Sequence, residues 1–140
     1  MSHDQDDFDW VSAQAKCSAA ASFDRLRTKV RDDVLRRNGI FDRGSGWKFE
    51  FDEDGDAFEV VRTVTPGATS SNGSAVVRFE RVGSRIHVQG DDIDIDFTAV
   101  VALDANGQCR FVVGEAMYSD WEMRRMALEL LFFEESEEEE

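Results

Sequence analysis

The 140-residue sequence contains few cysteines and histidines, and each shortage narrows the range of functions. Its two cysteines, Cys17 and Cys109, are too few for the disulfide framework of a small secreted protein, and they lie in a helical and a strand context. We therefore expect both to be buried free thiols. Its two histidines, His3 and His87, are not accompanied by a nearby nucleophile, which makes an enzyme the least favoured class.

Long apolar runs and positive charge are also scarce. No apolar stretch is long enough to cross a bilayer, and the first residues, MSHDQDDF, lack the character of a secretory leader, so we expect a cytoplasmic protein. The formal charge is −14, and six of the negative charges belong to residues 134–140, which leaves −8 on residues 1–133. Such a charge repels phosphate and anionic lipid, so we expect no nucleic-acid partner and no membrane partner.

The strongest structural signal is an alternation of apolar and other residues. From Ile93 to Leu103 every second residue is Ile, Phe, Ala, Val or Leu, which predicts a strand with one apolar face. No helical segment interrupts the six strands predicted after Trp47, so the simplest arrangement is an antiparallel meander. The predicted strands cover residues 47–53, 56–65, 74–82, 85–90, 92–104 and 108–114.

The turns set the strand registers, because apolar residues must share a face of the sheet. Two-residue turns are predicted at residues 54–55, 83–84 and 90–91, and a three-residue turn at residues 105–107 ends in a left-handed Gly107. The predicted cross-strand partners are Phe51 with Phe58, Phe79 with Val88, Val88 with Ile93, and Leu103 with Cys109.

Apolar residues at steps of three and four predict a helix at the N-terminus. As one helix over residues 6–37 it would be about 48 Å long at 1.5 Å per residue, which exceeds the width of a domain this size. Either it breaks between Ser18 and Ser22, where a serine caps a second helix, or its first half packs on another chain.

The C-terminal helix is predicted to begin at about Asp120, because Ser119 and Glu122 have the spacing of a capping box. The helix is apolar around most of its circumference, and one face of a sheet cannot cover all of that apolar surface. We therefore expect part of it to contact a second copy or another protein. The predicted interaction residues are Met126, Leu130, Leu131, Phe132 and Phe133.

The predicted fold class is therefore α+β. It is a six-stranded antiparallel meander sheet, with a long N-terminal helix and a C-terminal helix packed on one face and polar residues on the other. Residues 1–133 form a single domain, since 41% hydrophobic residues suffice for one core, and residues 134–140 are predicted to be a disordered acidic tail.

The polar sheet face carries a weak candidate metal site. The predicted registers place Glu80, His87 and Asp94 side by side, although an exterior charge cluster explains them more simply. Residues 44–46 precede a strand and not a helix, so they form no phosphate-binding loop. We predict no catalytic residue and no cofactor.

The apolar sheet face carries a candidate ligand cavity. Aromatic rings at inward positions either line a pocket between sheet and helices or simply fill the core. These residues are Phe49, Phe58, Phe97 and Phe111.

Three short stretches, residues 44–47, 61–64 and 119–121, resemble parts of the family of acidic mitochondrial matrix proteins. That resemblance implies an N-terminal helix, an antiparallel sheet, C-terminal helices and acidic trimers. This chain has no counterpart of a further C-terminal helix of that family. The small size, acidity and terminal amphipathic helix also resemble bacterial secretion chaperones, whose sheet is interrupted by a helix, whereas the strands predicted here are continuous.

The leading hypothesis is a non-catalytic acidic interaction protein, adaptor-like or chaperone-like, that self-associates through its terminal helices. The alternative is a small-molecule or lipid-binding protein with a cavity between sheet and helices. An enzyme ranks third, because the paired acid, base or nucleophile that catalysis requires is missing from the sequence.

Overall fold

An antiparallel sheet of seven strands forms the centre of the computed structural model, which describes residues 8–40, 47–64 and 74–133. Helices from both ends of the chain pack on the sheet, so the predicted α+β class is confirmed, with seven strands in place of six. The predicted acidic tail lies outside the described residues. In chain order the elements are α1 (Trp10–Lys16), α2 (Ala19–Gly39), β1 (Trp47–Asp54), β2 (Ala57–Val64), β3 (Ala75–Val82), β4 (Arg85–Asp91), β5 (Asp96–Leu103), β6 (Cys109–Val113), β7 (Ala116–Tyr118) and α3 (Asp120–Phe133).

The strands follow one another in the sheet in the order of the sequence, which is the predicted meander. The seventh strand, β7, was missed because three residues are too few to show an alternation. It pairs with β6 across a turn in which Gly114 has a positive φ of 63°.

Two of the predicted registers are confirmed. Phe79 lies opposite Val88, and Leu103 lies opposite Cys109 across a turn in which Gly107 has a φ of 77°. In both turns a glycine supplies the left-handed backbone, and its position in the turn fixes the loop length and therefore the register.

Two other registers were wrong. Phe51 lies opposite Val60 and not Phe58, and Val88 lies opposite Phe97 and not Ile93, which are shifts of two and four residues. An even shift leaves every side chain on the same face, so the apolar pattern did not distinguish these registers. The strand predicted from residue 92 begins only at Asp96, and the backbone before it turns through Asp92, which has a φ of 65°.

The N-terminal helix is broken, as one of the two predicted alternatives stated. Ser18 precedes α2, and its hydroxyl oxygen accepts a hydrogen bond from the backbone N–H of Ala21 at 3.1 Å. The apolar stripe is buried against the sheet in α2, whereas none of the residues of α1 is buried. The buried apolar residues of α2 are Phe23, Leu26, Val30 and Val34.

Cys17 and Cys109 form a disulfide, so the prediction of two free thiols was wrong. Their Cα atoms lie 5.4 Å apart although the residues are 92 positions apart in the sequence. The break after α1 and the register of the β5–β6 hairpin bring the two sulfurs together. Neither cause is visible in cysteine spacing alone.

The predicted capping box at the start of α3 is confirmed. The backbone N–H of Glu122 donates to the Ser119 hydroxyl at 3.3 Å, and the backbone N–H of Ser119 donates to the Glu122 carboxylate at 2.9 Å. The hydrogen bond from the backbone N–H of Ser119, together with the Ser119 side chain, lowers the pKa of Glu122 below its usual value.

The sheet face turned away from the helices is less polar than predicted. It carries ion pairs such as Arg78 with Glu59, at 2.9 Å, but Val100, Val112 and Met117 also lie side by side on β5, β6 and β7. Met117 is 49% exposed. The core lies between the other face and the two long helices.

Candidate interaction surface

The helices α2 and α3 lie next to each other on the sheet. The Nη1 atom of Arg124 lies 2.7 Å from both carboxylate oxygens of Asp33, and the two side chains are only 15% and 19% exposed. Closer to the C-terminal ends of both helices, Arg37 donates from Nε to the carbonyl oxygen of Phe132 at 3.0 Å. The C-terminal ends of the two helices therefore lie on the same side of the molecule.

A cleft of about 390 Å³ lies between these two helices. Leu128 and Phe132 line this cleft with buried side chains. Ile40, Trp121 and Phe133 also line it, and these side chains are 53%, 56% and 54% exposed. We call the residues that line this cleft the α2–α3 cleft. Three large apolar side chains, each more than half exposed around one depression, are a recognised mark of a protein–protein interaction site.

Charge around the α2–α3 cleft is opposite in sign to the charge of the chain. Four arginines and two acidic residues line it, so it carries two more positive than negative charges in a chain of net charge −14. The pair Arg125 and Glu129 is exposed, and the side chain of Arg36 is 76% exposed. The remaining charged residues of the lining are Asp33, Arg37 and Arg124. A cationic, apolar cleft favours an acidic partner.

Two buried arginines hold the C-terminal end of α3, and the sequence analysis missed both. Arg37 and Arg62 are 4% and 2% exposed, and Arg62 donates from Nη1 to the carbonyl oxygen of Leu131 at 3.1 Å. The last carbonyls of a helix have no partner within the helix and lie at its negative end, so guanidinium groups there are stabilising. Arg62 also lies over the Trp47 ring, 4.3 Å from its centre. The sequence did indicate that Arg62 is buried, because Arg62 follows Phe58 and Val60 at steps of two and so lies on the same apolar face of β2.

The structure divides the predicted interaction residues between core and surface. Leu131 and Phe132 are buried, whereas Leu130 and Phe133 are exposed. Met126 is partly buried against the core. Of these five residues only Phe132 and Phe133 line the α2–α3 cleft, and Ile40 and Trp121, which were not singled out, complete its apolar part.

The predicted cluster of Glu80, His87 and Asp94 does not form as a group. Glu80 lies opposite His87, but the register of β4 and β5 places Thr98 on the other side of His87. The Nε2 atom of His87 instead lies 2.9 Å from the Oδ1 atom of Asp96. Among the described residues, no three His, Cys, Asp or Glu side chains meet where a metal ion would bind.

The four phenylalanines of the predicted cavity are core residues. Phe49, Phe58 and Phe111 are buried, and Phe97 is partly buried against the same core. Phe58 stacks on Phe79 with ring centres 4.6 Å apart, and Phe49 meets Phe132 edge-on at 5.0 Å. At these positions the rings pack against one another and against α3.

No helix within residues 8–40, 47–64 and 74–133 has the length and apolar character needed to cross a bilayer. A comparison of the chain with protein-family models finds no match. Comparisons with curated proteins and with solved structures likewise find no match.

Proposed function

We propose that this protein is a non-catalytic interaction protein that self-associates through the α2–α3 cleft. The observation that carries the proposal is the group of Ile40, Trp121 and Phe133, three large apolar side chains that are more than half exposed around one cleft. Apolar and aromatic groups of this kind supply most of the binding energy of protein interfaces.

The proposed occupant is a second copy of the chain. The chain carries a net charge of −14, which opposes the approach of two copies, and the excess of two positive charges at the cleft makes this repulsion smallest there. A two-fold arrangement places the same surface on both subunits and forms a closed dimer. The cytoplasmic location expected from the sequence is part of this proposal and is tested by fractionation of the native host.

Sedimentation velocity of the full chain tests the self-association. We expect a dimer whose dissociation constant rises at least about tenfold in Ile40→Ser and in Trp121→Ser, since central apolar contacts dominate interface energies. Leu35→Ser is the matched control, because Leu35 is 65% exposed on α2 but does not line the cleft.

A monomeric wild-type protein at high micromolar concentration would overturn the proposal. So would a dimer that Leu35→Ser weakens as much as Ile40→Ser does, because the interface would then not be the cleft. Far-ultraviolet circular dichroism of each variant establishes that it is folded before the comparison is made.

A further inference from the structure

The disulfide between Cys17 and Cys109 is the point at which the N-terminal segment joins the sheet. Cys17 directly follows the last residue of α1, and Cys109 is the first residue of β6. One short helix is thereby fixed by a covalent bond to a strand that lies 92 residues away in the sequence.

The non-covalent contacts of α1 are few. None of its seven residues is buried, and Trp10 and Val11 are 61% and 60% exposed. Phe8, just before the helix, lies over Gly107 so closely that an added Cβ would collide with the Phe8 ring, yet Phe8 is itself 50% exposed. A seven-residue helix is too short to be stable without such support. The disulfide is therefore the strongest attachment of α1 among the described residues.

Cys109 is the more exposed of the two bonded cysteines. Cys109 lines a cleft of about 330 Å³ between α1 and the β5–β6 turn, whereas Cys17 is only 1% exposed. Lys16 and Arg25 line the same cleft, together with one acidic residue, Asp9. A thiolate entering this cleft meets Cys109 first, in a setting with more positive than negative charge.

A guanidinium group lies beside the Cys109 sulfur. The Nη2 atom of Arg25 lies 3.8 Å from the Cys109 sulfur and 3.1 Å from the Ser22 hydroxyl oxygen, and that hydroxyl lies 3.5 Å from the same sulfur. A positive charge near the Cys109 sulfur attracts an incoming thiolate, and it stabilises the Cys109 thiolate once that thiolate is released.

We propose that the disulfide is a redox latch that small thiols open at Cys109 and that its opening frees α1. The thiolate of a small thiol attacks the Cys109 sulfur, a mixed disulfide forms there, and the electron pair of the broken bond leaves on the Cys17 sulfur, which takes up a proton. A second thiolate attacks the sulfur that came from the first thiol. The Cys109 thiolate is released and protonated, and the small thiol is oxidised to its disulfide. The latch is independent of the α2–α3 cleft.

Trapping the mixed disulfide tests the site of attack. The full chain is treated briefly with 2-mercaptoethanesulfonate, quenched with N-ethylmaleimide and mapped by mass spectrometry. We expect the sulfonate adduct on Cys109 and the maleimide on Cys17. An adduct on Cys17, or a disulfide that the thiol does not open, would overturn the proposal.

The role of Arg25 is tested by the rate of reduction. We expect Arg25→Gln to be reduced roughly two- to fivefold more slowly than wild type, the effect of one partly exposed charge. Arg31→Gln is the matched control, because Arg31 lies on the same helix but pairs with Glu53 on β1 and does not line the cleft. Equal rates for the two variants would remove Arg25 from the mechanism.

Hydrogen exchange of the oxidised and reduced full chain tests the release of α1. We expect the backbone amides of residues 10–17 to exchange at least tenfold faster after reduction and to lose their protection, while those of α2 and α3 remain protected at the lower global stability of the reduced chain. The variant Cys17→Ser/Cys109→Ser provides the open state without a reductant. Unchanged protection in α1, or loss of protection throughout the chain, would contradict a local latch.

Discussion

The helices α1 and α3 are held to the sheet by different means. None of the seven residues of α1 is buried, and its neighbours Cys17 and Phe8 provide the attachment. In α3, five of fourteen residues are buried, and two arginines bind its last carbonyls. A helical pattern therefore predicts that a helix forms, whereas the register of the sheet decides whether the helix is held by packing or by a covalent bond.

The largest expected effect concerns the covalent attachment. We expect Cys17→Ser/Cys109→Ser to lose about 4 kcal/mol of unfolding free energy, because the crosslink restricts the unfolded chain over a long loop. Urea denaturation measures the loss. Reduced wild type should have the same midpoint, and a variant as stable as the oxidised wild type would show that the crosslink contributes nothing.

The packing of α3 is tested by removing buried side-chain volume. Leu131 is 0% exposed, and we expect Leu131→Ala to cost about 3 kcal/mol through lost apolar burial and the cavity that remains. Val11→Ala on α1 should change stability by less than about 0.5 kcal/mol, since Val11 is 60% exposed. Equal losses in the two variants, measured by urea denaturation, would end the distinction between the helices.

The polar attachment of α3 is tested at Arg62. We expect Arg62→Met to cost about 2 kcal/mol, because the carbonyl of Leu131 loses a charged hydrogen-bond donor in the interior. Arg78→Met is the control, with an expected cost below about 1 kcal/mol for a half-exposed ion pair. A stable Arg62→Met protein with full protection of the α3 amides would show that the guanidinium is dispensable.

The contact of Phe8 with Gly107 is tested by a pair of glycine variants. Gly107 and Gly83 have φ angles of 77° and 63°, so alanine should cost about 1 kcal/mol at either position. At Gly107 the new Cβ also displaces the Phe8 ring, whereas nothing lies within 4 Å at Gly83. Faster amide exchange in α1 is therefore expected in Gly107→Ala alone, and the same result in Gly83→Ala would exclude the Phe8 contact as its cause.

The smallest expected effect concerns Asp104, which organises the turn under Phe8. Its carboxylate accepts hydrogen bonds from Arg110 at 2.9 Å and from the backbone N–H groups of Gln108 and Asn106, and these bonds lower its pKa. A lowered pKa in the folded state means stabilisation above the unfolded pKa of about 3.9, which is lost as the pH falls through the folded value. Asp104→Asn should therefore be less stable than wild type at pH 7, with a difference that shrinks in acid. A difference independent of pH would show that the charge of Asp104 is not involved.

Local sequence signals predicted much of the fold. The pairing of Leu103 with Cys109 followed from a left-handed Gly107, and the start of α3 followed from the hydrogen-bonding groups of Ser119 and Glu122. The pairing of Val88 with Ile93 failed, because a shift by an even number of residues leaves the apolar face unchanged.

The candidate surface was predicted only in part. Phe133 was expected at the surface and is exposed there, but Leu131 has the same apolar character and is buried. Their difference depends on which side of α3 meets the sheet. Ile40 joins the surface because the end of α2 lies beside the end of α3, a proximity that no pattern within either helix encodes.

By itself, the sequence determined the α+β class, the meander order and the positions of caps and glycine turns, since these depend on residues a few positions apart. Only the tertiary structure decided the Cys17–Cys109 bond, the placement of Arg62 on the carbonyl of Leu131, and the cleft between α2 and α3. Each of these joins residues far apart in the chain, and their meeting depends on the strand registers and on the way the helices lie across the sheet.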